Sequence, residues 1–333
     1  MIITKQKQTS DFQGRKFEIY KNAGLETIER ELYNVLSDSK GPVRDMSSHI
    51  LNAGGKRVRP LLVMYSGLVF SKLTKEIIQA AVAAELIHMA SLVHDDIIDN
   101  SYLRRSRPSV NKKWGNHYAV LGGDYLFAKA FEVLSSNRLM ESMDYMITAI
   151  KNMCWGEINQ AEDKFRWEVG MKEYYERISR KTAIFLECCC KSGAVAAGAD
   201  KASIEAIGEY GLNLGIAFQI IDDILDFCGD PDTMGKPVGE DFRQGNITIP
   251  IILLQRNQKY KNWIKDLCEK KEVSDEIIQD VLAALKDVDA IGQSFSIAET
   301  RINRAKKCLD LLPKSEYSEV LYNLADILKS RIN

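Results

Sequence analysis

The feature that most limits the fold of this 333-residue chain is a long stretch without proline. Its seven prolines leave residues 109–230 without a single one. Proline interrupts helices and punctuates the loops of β-rich chains, so its absence over this distance favours long stacked helices. No run of useful length alternates apolar and polar residues, as a half-buried strand would. We therefore predict an all-α fold, a bundle of long helices forming a single domain over 1–333.

Apolar periodicity and end signals set the expected helix boundaries. Gly41-Pro42 ends the first predicted helix, Pro60 lies in the first turn of the third, and Thr74 caps a long helix that reaches Asp99. A loop is expected over 100–111. The predicted helices are 17–40, 43–53, 60–70, 75–99, 119–135, 138–164, 171–198, 201–227, 247–255, 258–268, 274–288, 290–311 and 315–331.

Composition excludes several classes of protein. The 45 Lys and Arg balance 46 Asp and Glu, which argues against a general nucleic-acid binder. The N-terminus has no apolar core of signal-peptide length, and the most apolar segment, 77–98, is interrupted by charged residues. We therefore expect a cytoplasmic protein without a transmembrane segment. Cys188, Cys189 and Cys190 are adjacent in an apolar helical stretch, where we interpret them as buried small hydrophobic residues rather than zinc ligands.

Two acidic motifs are the strongest chemical signal. The first acidic motif is Asp95, Asp96 and Asp99, and the second acidic motif is Asp222, Asp223 and Asp226; both read D-D-x-x-D at the end of an apolar helix. On a helix, each trio forms one acidic face. A single such trio is compatible with a solvated helix end, but negative charge there opposes the helix dipole, so two copies in apolar surroundings need cations. Hard oxygen ligands of this kind suit Mg²⁺ that also binds phosphate oxygens.

Polar and basic residues accompany these motifs. His88 lies seven residues before Asp95, and Gln219 lies seven before Asp226, so each shares the helix face of its motif. The alternative for His88 is a buried histidine whose hydrogen bonds are satisfied within the core. The sequence also contains three cationic groups. One follows two glycines, one follows the first acidic motif, and one interrupts an apolar helix. Each alone is compatible with a solvated charge cluster, whereas together they indicate receptors for two anionic ligands. The groups are Lys56-Arg57-Val58-Arg59, Arg104-Arg105 with Arg107, and Lys181-Thr182.

An ordered set of segments resembles the trans-isoprenyl diphosphate synthases, also called polyprenyl synthetases. Within that family the chain is most similar to the catalytic subunits of long-chain hexaprenyl and heptaprenyl diphosphate synthases. The resemblance covers about 30–255 and implies the all-α isoprenoid synthase fold around a central catalytic cavity. The matching segments are GGKRVRP, SLVHDDIIDNSYLRR, GGDYLFA, RKTAIF, FQIIDDILDF and GKPVGEDFRQGNITIP.

The resemblance also implies roles for individual residues. Lys56, Arg59, His88 and Arg105 match the positions that bind isopentenyl diphosphate. The positions that bind the allylic diphosphate match Arg104, Lys181, Thr182, Gln219 and Lys236. The metal ligands match Asp95, Asp99 and Asp222, with Asp96, Asp223 and Asp226 completing the catalytic motifs. Asn246 departs from the family, in which many members have lysine, so it is left out of the predicted site.

The implied reaction condenses an allylic diphosphate, farnesyl or geranyl, with isopentenyl diphosphate, repeatedly and in trans. The cofactor is Mg²⁺, three ions with substrate bound, and the long product is destined for a quinone side chain. The implied partners are a second copy of the chain or a small regulatory subunit, with peripheral membrane association for product release. The exact chain length and the need for a second subunit are left open.

Four alternatives compete with a long-chain synthase. A short-chain farnesyl or geranylgeranyl diphosphate synthase shares every motif. A terpene cyclase would not need the second D-D-x-x-D or an isopentenyl diphosphate site, and a regulatory subunit would not need to retain all six aspartates. A di-iron carboxylate bundle requires several Glu-x-x-His pairs, whereas the chain has only Glu85 with His88.

Small residues before the first acidic motif bear on product length. Ala90 and Ser91 lie one turn before Asp95, where short-chain members of the family carry a bulky aromatic residue. A helix of about 20 residues is roughly 30 Å long, enough for a hexaprenyl to octaprenyl tail. We predict an open tunnel and a long product; the alternative is that both residues are small for close helix packing.

Overall fold

The structure is a computed structural model that describes residues 24–105, 107–229 and 237–330. Helices dominate these residues, as predicted. In chain order they are α1 (24–37), α2 (Gly41–Asn52), α3 (Val58–Leu68), α4 (Lys75–Ile98), α5 (Val110–Trp114), α6 (Asn116–Ser136), α7 (Met140–Glu162), α8 (Met171–Ile178), α9 (Ile184–Ala196), α10 (Lys201–Cys228), α11 (Glu240–Arg243), α12 (Ile249–Gln255), α13 (Gln258–Lys270), α14 (Asp275–Asp287), α15 (Ala290–Leu309) and α16 (Glu316–Ser330).

The loop after α4 and the helix over 171–198 differ from the predicted elements. The expected loop after α4 contains a short antiparallel pair, β1 (Leu103–Arg104) with β2 (Arg107–Pro108), and then α5. The expected continuous helix over 171–198 is divided by a π-helical segment, Ser179–Ala183. Neither difference has a periodicity signal, because two-residue strands and a single wider helical turn are too short to alter the apolar pattern. The part of the first predicted helix before residue 24 lies outside the described residues.

Helix α4 is the core helix that ends in the first acidic motif. It begins as predicted, with the Thr74 hydroxyl accepting a hydrogen bond from the Ile77 amide at 3.3 Å. It is apolar on nearly all sides because it packs against α3 and α6. It is long and apolar enough to cross a membrane, but 72% of its apolar window is buried inside the protein. Its composition is therefore explained by burial.

Glycines bring two helices close to the π-helical segment. A Cβ at Gly156 of α7 would lie 2.7 Å from the Lys181 amide nitrogen, and one at Gly215 of α10 would lie 2.5 Å from the Ala183 Cα. A side chain at either position would force these backbones apart. Gly215 is one turn before Gln219, so this contact places Gln219 beside Thr182.

The described residues group into two compact units by their backbone contacts. The first unit contains the described residues up to Ile150, with Cys188–Gly208 and Leu309–Tyr322. The second contains Lys151–Glu187 and Glu209–Cys308, with the described residues from Asn323 onward. The first acidic motif belongs to the first unit and the second acidic motif to the second. The single domain over 1–333 stays a prediction. The three adjacent cysteines are buried, as predicted.

Candidate active site

The three carboxylates of the first acidic motif have different surroundings. Asp96 is buried, and its Oδ1 accepts hydrogen bonds from Arg104 Nε at 3.0 Å and Nη2 at 2.5 Å. Asp95 is partly exposed and Asp99 is exposed at the end of α4. The pair with Arg104 fixes β1 to the motif. Asp95 and Asp99 are therefore the more accessible carboxylates for a metal ion.

Arg59 and His88 form a polar pair between α3 and α4. Arg59 Nη1 donates to His88 Nε2 at 3.0 Å, since a guanidinium has no acceptor. Burial and then the charge of Arg59 hold the pKa of His88 well below its usual value. A neutral imidazole with its proton on Nδ1 satisfies both observations, and it orients Arg59. We call Lys56, Arg59, His88 and Arg105 the basic group. The spacing of His88 predicted that it shares the helix face of Asp95, and the resemblance implied its place among these cations.

Arg105 lies against the glycine loop that precedes Arg59. A Cβ at Gly55 would approach Arg105 Nη1 to 2.5 Å, so only glycine leaves room for this guanidinium. Burial, and next the charge of Arg57, lower the pKa of Arg105. Lys56, beside Gly55, is exposed. The structure therefore brings Arg59, His88 and Arg105 together, and Lys56 precedes them on the same glycine loop.

A chain of hydrogen bonds connects the π-helical segment with the second acidic motif. Thr182 Oγ1 donates to Gln219 Oε1 at 3.0 Å, and Gln219 Nε2 donates to Asp223 Oδ1 at 2.9 Å. The buried Tyr174 hydroxyl donates to Asp223 Oδ2 at 2.8 Å. Burial nevertheless raises the pKa of Asp223 to about 7.

Lys181 is held by two side chains of α7. Its ammonium group donates to Gln160 Oε1 at 2.8 Å and lies 2.9 Å from Glu157 Oε2. It is partly exposed. A π-helical turn projects Lys181 and Thr182 on a wider face than an α-helix would, which is a frequent device at functional sites.

Asp222 and Asp226 differ in the same way as the carboxylates of the first motif. Asp222 is partly exposed, whereas Asp226 is buried and its Oδ2 accepts from the Asp241 amide at 3.1 Å. The Gly239 amide also donates to the Asp226 carbonyl at 2.8 Å. Asp226 therefore anchors the start of α11 next to the motif.

A cleft of about 100 Å³ lies within the second unit. Sequence reasoning identified three of its lining residues, Lys181, Gln219 and Asp223. It missed Arg177 and Asp241, although Arg177 is one helical turn before Lys181, a spacing that could have revealed it. It also set Asn246 aside, which the structure places in the cleft wall. The lining residues are Gln160, Arg177, Ile178, Lys181, Gln219, Asp223, Asp241, Asn246 and Thr248.

The remaining predicted residues lie elsewhere. Lys236 is outside the described residues. Ala90 is fully buried, while Ser91 is partly exposed and its hydroxyl donates to the His88 carbonyl at 2.9 Å. The Ser91 hydroxyl is therefore satisfied within α4, and the side chains of Ala90 and Ser91 are both small.

The donor chemistry fits Mg²⁺ that binds together with phosphate. Among the described residues, no three His, Cys, Asp or Glu side chains are close enough to hold a metal ion by themselves. Mg²⁺ commonly takes only one or two carboxylates and completes its octahedron with water and phosphate oxygens. The accessible carboxylates of the two motifs supply that kind of partial ligand set.

Comparison with known proteins places these features in a family. The sequence profile of the family described as polyprenyl synthetase matches residues 41–285. Heptaprenyl diphosphate synthase component 2 of Geobacillus stearothermophilus is 38% identical over 301 residues, which cover 90% of this chain and 93% of that protein. The crystal structure of a decaprenyl diphosphate synthase from Rhodobacter capsulatus has a TM-score of 0.89 and 29% identity, covering 95% of this chain and 99% of that one. A polyprenyl synthase from Caulobacter crescentus CB15, crystallised with calcium and isoprenyl diphosphate, has a TM-score of 0.86 and 30% identity over 95% of this chain and 98% of that one.

The chain belongs to the polyprenyl synthetase family, which confirms the resemblance. Enzymes of this family are prenyltransferases that depend on Mg²⁺. Their substrates are allylic diphosphates and isopentenyl diphosphate. The all-α fold predicted from the proline pattern is that of the family.

Proposed function

We propose that this enzyme extends an allylic diphosphate with isopentenyl diphosphate to a long trans-prenyl diphosphate of hexaprenyl to octaprenyl length. One observation carries the proposal: the first unit contains a basic group built on the Arg59–His88 hydrogen bond, in addition to the Lys181 group of the second unit. Two separate sets of phosphate-binding side chains match a reaction with two diphosphate substrates. A cyclase acting on one substrate has no use for the first set.

The isopentenyl diphosphate would be held by Lys56, Arg59, His88 and Arg105. Arginine forks give paired hydrogen bonds to phosphate oxygens, and neutral His88 keeps Arg59 in place without adding charge. These side chains bind and orient the substrate so that its double bond is presented for attack.

The allylic diphosphate would be bound by Lys181 of the second unit, near Thr182 and Gln219. The allylic C–O bond breaks, the diphosphate leaves with the electron pair, and a delocalised cation remains. Lys181 stabilises the charge that develops on the leaving diphosphate. The oxygens of Thr182 and Gln219 are polar but weakly nucleophilic, so they stabilise the cation without trapping it.

Bond formation then joins the two substrates. The double bond of isopentenyl diphosphate attacks the allylic carbon, and a proton leaves the new cation for the released diphosphate. Asp95, Asp99 and Asp222 would hold the Mg²⁺, three ions with substrate, and when bound this metal neutralises the diphosphate charge. The products are an allylic diphosphate five carbons longer and inorganic diphosphate.

Assembly and cellular setting belong to the same proposal. The similar Geobacillus protein is named component 2, which supports pairing of this chain with a small second subunit; a homodimer is the alternative. We place the enzyme in the cytoplasm, with peripheral membrane association when a long apolar product is released. The long prenyl chain would serve as a quinone side chain.

A direct assay tests the proposal. The purified chain is incubated alone with farnesyl diphosphate, labelled isopentenyl diphosphate and Mg²⁺, and the products are sized by chromatography. We expect label in prenyl diphosphates of 30 to about 40 carbons, because a helix of about 20 residues is roughly 30 Å long and a tail of that size would lie along it. The Asp95→Ala variant should be inactive, while Asp280→Ala, an exposed acid on α14, is the matched control.

Other products identify other functions. A cyclic hydrocarbon formed from farnesyl diphosphate without isopentenyl diphosphate would show a terpene cyclase. Products of 15 or 20 carbons would show a short-chain synthase. Binding of both substrates without elongation, followed by elongation when a partner subunit is added, would show a catalytic subunit that needs its partner.

A further inference from the structure

Glu85 is a buried carboxylate next to the basic group of the first unit, and the proposed reaction gives it no role. It is 3% exposed and lies one turn before His88 on α4. Its Oε1 accepts from Arg57 Nη1 at 2.6 Å, while its Oε2 is buried without a hydrogen bond to another described residue. A buried carboxylate persists only where neighbouring cations compensate for the loss of water.

Arg57 carries the effect of Glu85 to the loop that precedes α3. Arg57 is 6% exposed, and its Nη2 donates to the Leu51 carbonyl in the last turn of α2 at 3.1 Å. Its backbone is left-handed, with φ at 51°, which a side chain other than glycine adopts only when its surroundings hold it there. Arg57 therefore ties α2, the loop and α4 together.

The residues beside Arg57 are those expected to bind phosphate. Lys56 precedes it, and Arg59 follows by two residues in the first turn of α3. If Arg57 left its buried position and its backbone relaxed from the left-handed conformation, both cations would shift, because all three share one short stretch of backbone. The pair of Glu85 and Arg57 thus helps to hold the backbone from which Lys56 and Arg59 project, while His88 orients the Arg59 guanidinium.

Glu85 also faces the other cations of this group. The charges of Arg57, Arg59 and Arg105 oppose the rise that burial causes in the pKa of Glu85. Without substrate, these guanidiniums repel one another, and a carboxylate among them offsets that repulsion. A diphosphate would then meet cations that are already assembled, so less reorganisation accompanies binding.

We propose that Glu85 is a positioning residue of the isopentenyl diphosphate site: it acts through Arg57 as an internal counter-ion that holds the glycine loop and its cations ready for diphosphate. The proposal rests on the function proposed above and adds a residue that does not itself touch the substrate. Its specific consequence is that loss of Glu85 weakens the binding of isopentenyl diphosphate and leaves the binding of the allylic diphosphate unchanged.

Three variants test this consequence. Glu85→Gln removes the charge, and the double variant Glu85→Met with Arg57→Met replaces the buried pair by apolar side chains. The control is Gln79→Met, because Gln79 is also buried on α4 and its amide donates to Glu31 Oε1 at 2.7 Å, away from the basic group. Thermal midpoint, kcat and KM for each substrate are measured for all of them.

We expect Glu85→Gln to raise KM for isopentenyl diphosphate about tenfold, with KM for farnesyl diphosphate changed by less than about twofold. Its thermal midpoint should fall, because Arg57 loses its buried counter-ion and keeps only the half-exposed Glu29, whose Oε1 lies 3.4 Å from Arg57 Nε. The double variant should recover the midpoint, since an apolar pair replaces the ionic one, yet keep the raised KM for isopentenyl diphosphate. Gln79→Met should lose stability without changing either KM.

The results that overturn the proposal are equally specific. If the double variant recovers KM together with the thermal midpoint, or if both KM values rise equally, Glu85 only stabilises the fold. Should Glu85→Gln fail to fold, the double variant decides between these outcomes. Failure of the wild-type enzyme to incorporate isopentenyl diphosphate would instead contradict the proposed function, so the two failures are distinguishable.

Discussion

Asp223 should make the enzyme less stable as the pH rises, and Asp223→Asn should remove this effect. The carboxyl group is buried, and burial raises its pKa from 3.8 to about 7. Between those values the unfolded chain releases the proton while the folded protein retains it. Stability therefore falls as the pH increases through this window and is lowest above the folded-state pKa.

The size of the effect follows from the shift. A rise of about three pKa units corresponds to about 4 kcal/mol of destabilisation at pH 8, at about 1.4 kcal/mol per unit. Asparagine stays neutral at every pH and can still accept the hydrogen bond from Tyr174. Asp223→Asn should therefore be more stable than the wild type at pH 8, by up to about 4 kcal/mol, and about equal to it near pH 4.

Urea unfolding at several pH values between 4.5 and 8.5 measures this difference. EDTA keeps both proteins free of metal ions, and Asp280→Asn, at an exposed site, is the control. Tyr174→Phe removes a donor to the charged carboxylate, so it should raise the pKa of Asp223 further and extend the decline in stability to higher pH. Parallel pH dependence in the wild type and Asp223→Asn would refute the reasoning.

Three further predictions concern catalysis. Asp95→Ala or Asp222→Ala should lower kcat by about three orders of magnitude at saturating Mg²⁺ while far-UV circular dichroism stays unchanged; near-normal kcat would contradict the metal assignment. Arg59→Ala should raise KM mainly for isopentenyl diphosphate, whereas Lys181→Ala should raise KM mainly for the allylic substrate and also lower kcat; equal effects would contradict two separate sites. Ala90→Phe should stop elongation near farnesyl or geranylgeranyl diphosphate, as measured by chromatography, and cost about 1–3 kcal/mol of stability by overpacking; an unchanged product distribution would mean that Ala90 is small only for packing.

Local patterns were enough to predict most helices of the described chain. A helix places residues three or four apart on one face, so apolar spacing and capping residues such as Thr74 report it over a few turns. The same periodicity showed that the three aspartates of each motif share a face. It also assigned His88 to the face of the first motif, and the structure places it in the basic group with Arg59.

Tertiary packing decided what each of these carboxylates can do. Both motifs have the sequence D-D-x-x-D, but their middle aspartates have different partners. Asp96 accepts hydrogen bonds from Arg104, whereas Asp223 accepts one from Tyr174, which lies 49 residues earlier in the chain. Burial and hydrogen-bond partners depend on residues far apart in sequence, and no local spacing contains them. The π-helical segment and the position of Asn246 in the cleft wall also depend on contacts between residues far apart in sequence. The sequence by itself determined helices, motifs and family, whereas only the fold determined which groups are charged, accessible and in contact, because those properties arise from long-range packing.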